Sequence, residues 1–197
     1  MILHVICTSF HRPIQQRILI DSFIVQTNPF WKLYIMHDGP ALEQLKQIID
    51  YYKDSRIKYF ETEKVNGLWG HPNKRTLLGM IARNHHDYVL MTNDDNYYVP
   101  KFVEYMTMRC GSLSRKIGMV YCDTVHSYTN YEVLKTQLKE NFVDMGSFIV
   151  RTDIAKKIGF DATHLTADGA YAEACAAHCR KLRMEIVYIP KPLFIHN

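Results

Sequence analysis

The feature that most limits what this chain can fold into is an alternation of short apolar runs with longer segments of helical period. The run from Leu3 to Thr8 is nearly continuous in apolar character, as a strand buried on both faces must be. Pro13 then sits where a helix can begin, and the stretch 14–26 carries apolar residues at 14, 18, 19, 20, 23, 24 and 25. Trp31 to Met36, Ile57 to Thr62 and Tyr88 to Thr92 read as further strands. Leu42 to Tyr52, Asn73 to His85 and Lys101 to Arg109 read as the helices between and after them. Later in the chain, Ile117 to Cys122 and part of Phe142 to Arg151 read as strands. A short helix follows from Asp153 to Ile158, then a long one from Ala167 to Leu182, and 186–189 and 193–196 close the chain as two short strands. Repeated strand–helix–strand units predict an α/β fold with a mostly parallel sheet and helices on both faces. In such sheets ligands bind beyond the carboxyl ends of the strands.

A chain of 197 residues that is 47% hydrophobic is large enough to bury one core of its own. The net charge is +4, with Lys and Arg scattered rather than blocked, which argues against a nucleic-acid footprint. The same mild positive field favours a pyrophosphate-bearing ligand. No apolar run approaches the roughly 20 residues of a membrane span. The N-terminus lacks a basic region and a cleavage site, so it reads as a first strand rather than a signal peptide. The five cysteines lie in apolar contexts and read as reduced core thiols of a cytoplasmic protein. Cys175 and Cys179, with His178 between them, have helical spacing but no further zinc ligands nearby in sequence.

The loops after the first, second and fourth strands, residues 8–12, 37–40 and 93–97, all carry polar groups and belong on one edge. The most pointed is Asn93-Asp94-Asp95-Asn96. Adjacent carboxylates at the end of a buried strand repel each other and are costly to desolvate, and a divalent cation removes both costs. Oxygen ligands suit Mg²⁺ or Mn²⁺, which share their shell with water and phosphate. A solvated turn, with Asp94 or Asp95 capping a helix, accounts for the local sequence equally well.

The succession of Thr-x-x-x-Arg-Pro (8–13), a second strand ending in Asp38-Gly39 and a fourth ending in Asp94-Asp95 before Pro100 resembles GT-A fold glycosyltransferases. The nearest type is the large inverting family 2, and the resemblance covers nearly the whole chain. It implies a single Rossmann-like domain whose mostly parallel sheet carries a small antiparallel addition. Residues 1–99 would then form the nucleotide-sugar half and 100–197 the acceptor half. The implied reaction moves a sugar, from a UDP-sugar by preference, to an acceptor hydroxyl on a glycan or glycoprotein, with Mn²⁺ or Mg²⁺. Residue by residue, the family's Asp-x-Asp falls on Asn93-Asp94-Asp95, so its first acid is missing. Asp95 becomes the metal ligand, with Asp94 beside the donor. Asp38 takes the nucleotide, while Thr8, Phe10 and Arg12 cradle the base. The stretch 66–75, with Asn73 and either Lys74 or Arg75, runs under the diphosphate. Asp168 becomes the general base, with Asp161 in reserve, and His196 a further metal ligand. The segment 144–147 would line the acceptor pocket.

Two other chemistries fit parts of this pattern. Nucleotidyl transfer to a sugar phosphate keeps the nucleotide and metal, but that class carries a Gly-rich loop after its first strand, and residues 8–12 contain no Gly. A non-catalytic carbohydrate-binding module would explain Asn93. A strand ending so near Asn197 suggests further domains in a longer chain.

Overall fold

A computed structural model describes residues 1–110, 116–160, 163 and 167–197. The first half runs β1 (Leu3–Ser9), α1 (Pro13–Ile24), β2 (Trp31–His37), α2 (Glu43–Tyr52), β3 (Ile57–Glu61), α3 (His71–Met80) and β4 (Tyr88–Asn93). The second half runs β5 (Tyr97–Tyr98), α4 (Phe102–Thr107), β6 (Ile117–His126), β7 (Glu132–Leu134), β8 (Phe148–Arg151), α5 (Thr152–Ile158), α6 (Ala167–Lys181) and β9 (Glu185–His196).

The strands join in the order β3-β2-β1-β4-β8-β6-β9-β5, with β7 on β6. The first four are parallel, and β8 runs antiparallel between β4 and β6. Period-two alternation sends Leu3, Val5 and Cys7 of β1 to one face, with Leu19, Ile20, Phe23 and Phe102 of α1 and α4. Ile6 turns to the other face and meets Leu77 and Leu78 of α3, Ile154 of α5 and Ala172 and Cys175 of α6. Each buried Leu, Ile, Val or Phe among them contributes about 1.5–3 kcal/mol over its exposed state. Two covered faces explain why β1 reads as an unbroken apolar run.

Register fixes the functional edge. Thr8 pairs with Met36 on one side and with Asn93 on the other, so the three strands end together at Ser9, His37 and Asn93. Two departures from the sequence reading matter here. The two short closing strands are one, β9, which takes up Pro190 and Pro192 through irregular register opposite Cys122, Asp123 and Thr124, because proline has no N–H for the ladder. The acidic cluster also leads straight into β5, where Tyr97 pairs with Ile195 and Tyr98 with Phe194. That short pairing carries His196 and Asn197 to the acidic strand end. Among the described residues, no helix is long and apolar enough to cross a membrane.

Candidate active site

The loops after β1, β2 and β4, together with the stretch 65–70, line a cleft of about 310 Å³, within the size range of small-molecule sites. Thr8, Phe10, Arg12, Asp38, Asp94 and Asp95, which the resemblance assigns to donor and metal, all line it. Asn73 sits just beneath, buried against Asp38. Arg75 does not belong to the lining and lies exposed on α3, whereas Lys74 is only 2% exposed and turns into the site. Helix α3 starts at His71 rather than Asn73, and that phase sends Lys74 inward and its neighbour outward. Asp161 lies outside the described residues.

Asp38 is buried, and most of its acceptor capacity is already taken. Its Oδ1 accepts from Asn66 N (2.9 Å) and Asn73 Nδ2 (3.0 Å), and its Oδ2 from Gly67 N (2.9 Å). A carboxylate offers about four lone-pair positions, so this group mainly fastens the loop 66–70 and keeps one position for a ligand. His37, which the sequence reading passed over, is fully buried behind it. Its Nε2 accepts from His11 N (3.1 Å) and its Nδ1 bonds Gly39 O (2.7 Å), fixing the backbone around Phe10. Only its strand-end position could have signalled this role.

At the acidic end, Lys74 Nζ donates to Asn93 Oδ1 (2.7 Å) and reaches Thr8 Oγ1 (3.3 Å), and Thr8 Oγ1 donates to Asn93 Oδ1 (3.1 Å). Asn93 thus bonds a buried ammonium and bears no charge of its own. Burial lowers the Lys74 pKa from its ordinary value, opposed by the negative charges of Asp168, Asp144 and Asp94 among others. Asp94 accepts from Phe10 N (3.0 Å). Its carboxyl is pushed up to about 6, first by desolvation and then by Asp95, against the hydrogen bonds from Phe10 and Ser9 and the charge of Arg12. The half-exposed Arg12 guanidinium bridges both acids, bonding Asp95 Oδ2 and approaching Asp94 Oδ1 at 3.7 Å.

Beside this lies a second group. Asp144 Oδ1 accepts from Gly146 N (2.9 Å), and its Oδ2 bonds His196 Nδ1. The His196 ring stacks on His126 at 5.3 Å. Burial alone would push its imidazole down, but the bond to Asp144 and the charges of Asp144, Asp95 and Asp168 outweigh that and hold it above its usual value. Asp168, in the first turn of α6, accepts from Met145 N (3.2 Å). Desolvation and then Asp144 raise its carboxyl to about 6, while Lys74 opposes them.

A divalent cation suits this donor set in part. Asp95 Oδ1 and Asn96 Oδ1 are buried and have no hydrogen-bond partner, and Asn197 Nδ2 ties its side chain to Asp95 O at 2.9 Å. His196 commits Nδ1 to Asp144, which leaves Nε2 for a metal, the usual division of labour in ligating histidines. Among the described residues, no group of three or more His, Cys, Asp or Glu is arranged to hold a metal. The described residues therefore supply too few ligands for a closed cage, and match a cation that completes its shell with water and phosphate.

A curled, partly antiparallel sheet with acids gathered at the carboxyl ends of β2 and β4 is the GT-A glycosyltransferase fold. Solved structures of that fold include TarS 1–349 from S. aureus, similar over 100% of this chain and 60% of the other, at 15% identity and a TM-score of 0.77. The same protein in complex with UDP-GlcNAc gives 16% identity, 100% and 58% coverage and a TM-score of 0.77. The mannosyltransferase PcManGT from Pyrobaculum calidifontis, in complex with GDP-Man and Mn²⁺, matches 98% of this chain and 56% of its own, at 12% identity and a TM-score of 0.72. The chain thus spans about 60% of the length of TarS 1–349. No protein-family model matches the sequence, and no curated protein matches it significantly.

Proposed function

We propose that this chain is a metal-dependent, inverting glycosyltransferase that takes a sugar from a nucleotide-diphosphate donor, a UDP-sugar by preference, and places it on a hydroxyl of a glycan or glycoprotein. The observation that carries the reading is the meeting, on one sheet edge, of a nucleotide-sized cleft, an acidic pair with an unpartnered oxygen, and a separate carboxyl raised to about 6. Neighbouring structures that hold UDP-GlcNAc, or GDP-Man with Mn²⁺, support the donor class and the metal.

In this reading Phe10 and the loop fastened by Asp38 hold the nucleoside. Arg12 turns from Asp95 to the diphosphate, with Lys74 beneath as fixed positive charge. Asp95, with Nε2 of His196, would hold Mn²⁺ or Mg²⁺, which when bound supplies Lewis-acid support to the departing diphosphate. Asp168 accepts the proton of the acceptor hydroxyl as its oxygen bonds to the anomeric carbon. The bond from that carbon to the diphosphate oxygen breaks, and its electron pair leaves with the nucleotide. A base titrating near 6 is ionised at neutral pH yet still able to take a proton. Residues 1–99 serve the donor and 100–197 the acceptor.

Thermal-shift screening of nucleotide sugars with Mn²⁺ and Mg²⁺ tests the reading. Stabilisation by one donor, larger with metal, is expected, and no stabilisation by UDP-, GDP- or dTDP-sugars would overturn it.

A further inference from the structure

Gly67, Leu68, Trp69 and Gly70 form a run of positive φ, at 67°, 50°, 53° and 75°. Bulky side chains avoid this region, and it persists only where the surroundings over-determine it. Here they do. Asp38 accepts from Gly67 N, Gly70 N donates to Gly67 O (3.0 Å), and Lys74 Nζ reaches Trp69 O (3.5 Å). At Gly70 the backbone lies so close to β1 that a Cβ would stand 2.7 Å from Thr8 Oγ1. Three residues of the candidate site therefore hold a strained loop, yet its indole is not used in the core. Trp69 is 56% exposed and lines the cleft together with Phe10, which is 48% exposed and comes from a different loop.

We propose that Trp69 is the second aromatic wall of a nucleobase subsite, so that the base of the donor lies between the indole and the Phe10 ring. The inference rests on the glycosyl-transfer reading and adds the residue that discriminates for a nucleoside. A flat heterocycle presents a π-face on each side, which two rings from separate loops can cover at once. A phosphate has no such face, and a sugar ring offers aliphatic C–H bonds rather than a π-face.

The chain has two tryptophans, and Trp31 is 1% exposed beneath the Arg56 guanidinium. A nucleotide-dependent change in tryptophan emission therefore reports on Trp69. Whichever of UDP, GDP and dTDP binds most tightly is titrated with Mg²⁺ by fluorescence. Calorimetry then compares that nucleotide and its hexose conjugate on wild type, Trp69→Phe, Trp69→Ala and Leu68→Ala. Quenching in wild type is expected, with a loss on the order of tenfold in Trp69→Ala for both ligands, since base stacking is of that size. Trp69→Phe retains most of the affinity, and Leu68→Ala, on the same loop but outside the cleft lining, retains all of it. Binding without quenching, together with unchanged affinity in Trp69→Ala, overturns the inference while leaving glycosyl transfer intact. A loss confined to the hexose conjugate overturns it too, because the ring would then pack on the sugar. Absence of nucleotide binding in wild type overturns both readings.

Discussion

Replacing Asp168 with Asn removes the proposed base and also relieves the fold of a buried charge. The amide keeps the shape of the carboxylate, and its Oδ1 can still accept from Met145 N, 3.2 Å away. The carboxyl titrates near 6 in the fold against an ordinary 3.8, so its ionised form costs the folded state about 3 kcal/mol. The sign follows from linkage. Between these two values the native state binds more protons than the unfolded chain, so stability falls as pH rises through that window. Wild type thus has the full benefit of the protonated carboxyl below about pH 4 and has lost it by about pH 7. Asp168→Asn is expected to melt at about the wild-type temperature in acid and roughly 6–12 °C above it near neutrality, an upper figure because the group is partly exposed. Melting curves across that range provide the assay, alongside turnover, which should fall sharply in the variant. A difference that does not grow with pH, or a variant less stable at neutrality, would refute the assignment of Asp168 as a desolvated carboxylate.

Asp38→Ala takes the acceptor from three donors, of which Asn73 Nδ2 is buried, which costs about 1–3 kcal/mol and lowers the melting temperature; a wild-type melt would contradict the anchoring role. Lys74→Met removes the charge that holds the Asp168 carboxyl down, so the acid limb of the pH–rate profile should move up and turnover fall. An unmoved limb with full activity would show that Lys74 is a bystander. Gly70→Ala puts a methyl 2.7 Å from Thr8 Oγ1 at a φ of +75°, so both stability and nucleotide affinity should drop in melting and calorimetry. Wild-type values for both would refute the close approach.

Most of the framework is legible in the sequence because the central strands are buried on both faces and therefore stand out as apolar runs. The positions of Asp38, Asp94 and Asp95 follow, since each directly ends or follows such a run. The pairing of β5 with β9 was not legible. Two residues, Tyr97 and Tyr98, carry no periodicity, and Pro190 and Pro192 look like breaks rather than parts of one strand. Nor does any local signal join Asp144 to His196, which lie 52 positions apart. Lys74 and Arg75 look alike as neighbouring cations, and only the start of α3 after the left-handed Gly70 decides which of them is buried. The strain in the 67–70 loop is likewise invisible in sequence, because Leu68 and Trp69 do not announce a positive φ.

Release of free nucleotide from a nucleotide sugar, measured with and without Mn²⁺ on wild type, Asp95→Ala and Asp168→Asn, reads the proposed chemistry without knowledge of the acceptor. The wild type should release nucleotide in a metal-dependent manner. Asp95→Ala should lose that dependence together with the activity, and Asp168→Asn should still bind donor but turn it over poorly. Full activity in both variants would contradict the site described here.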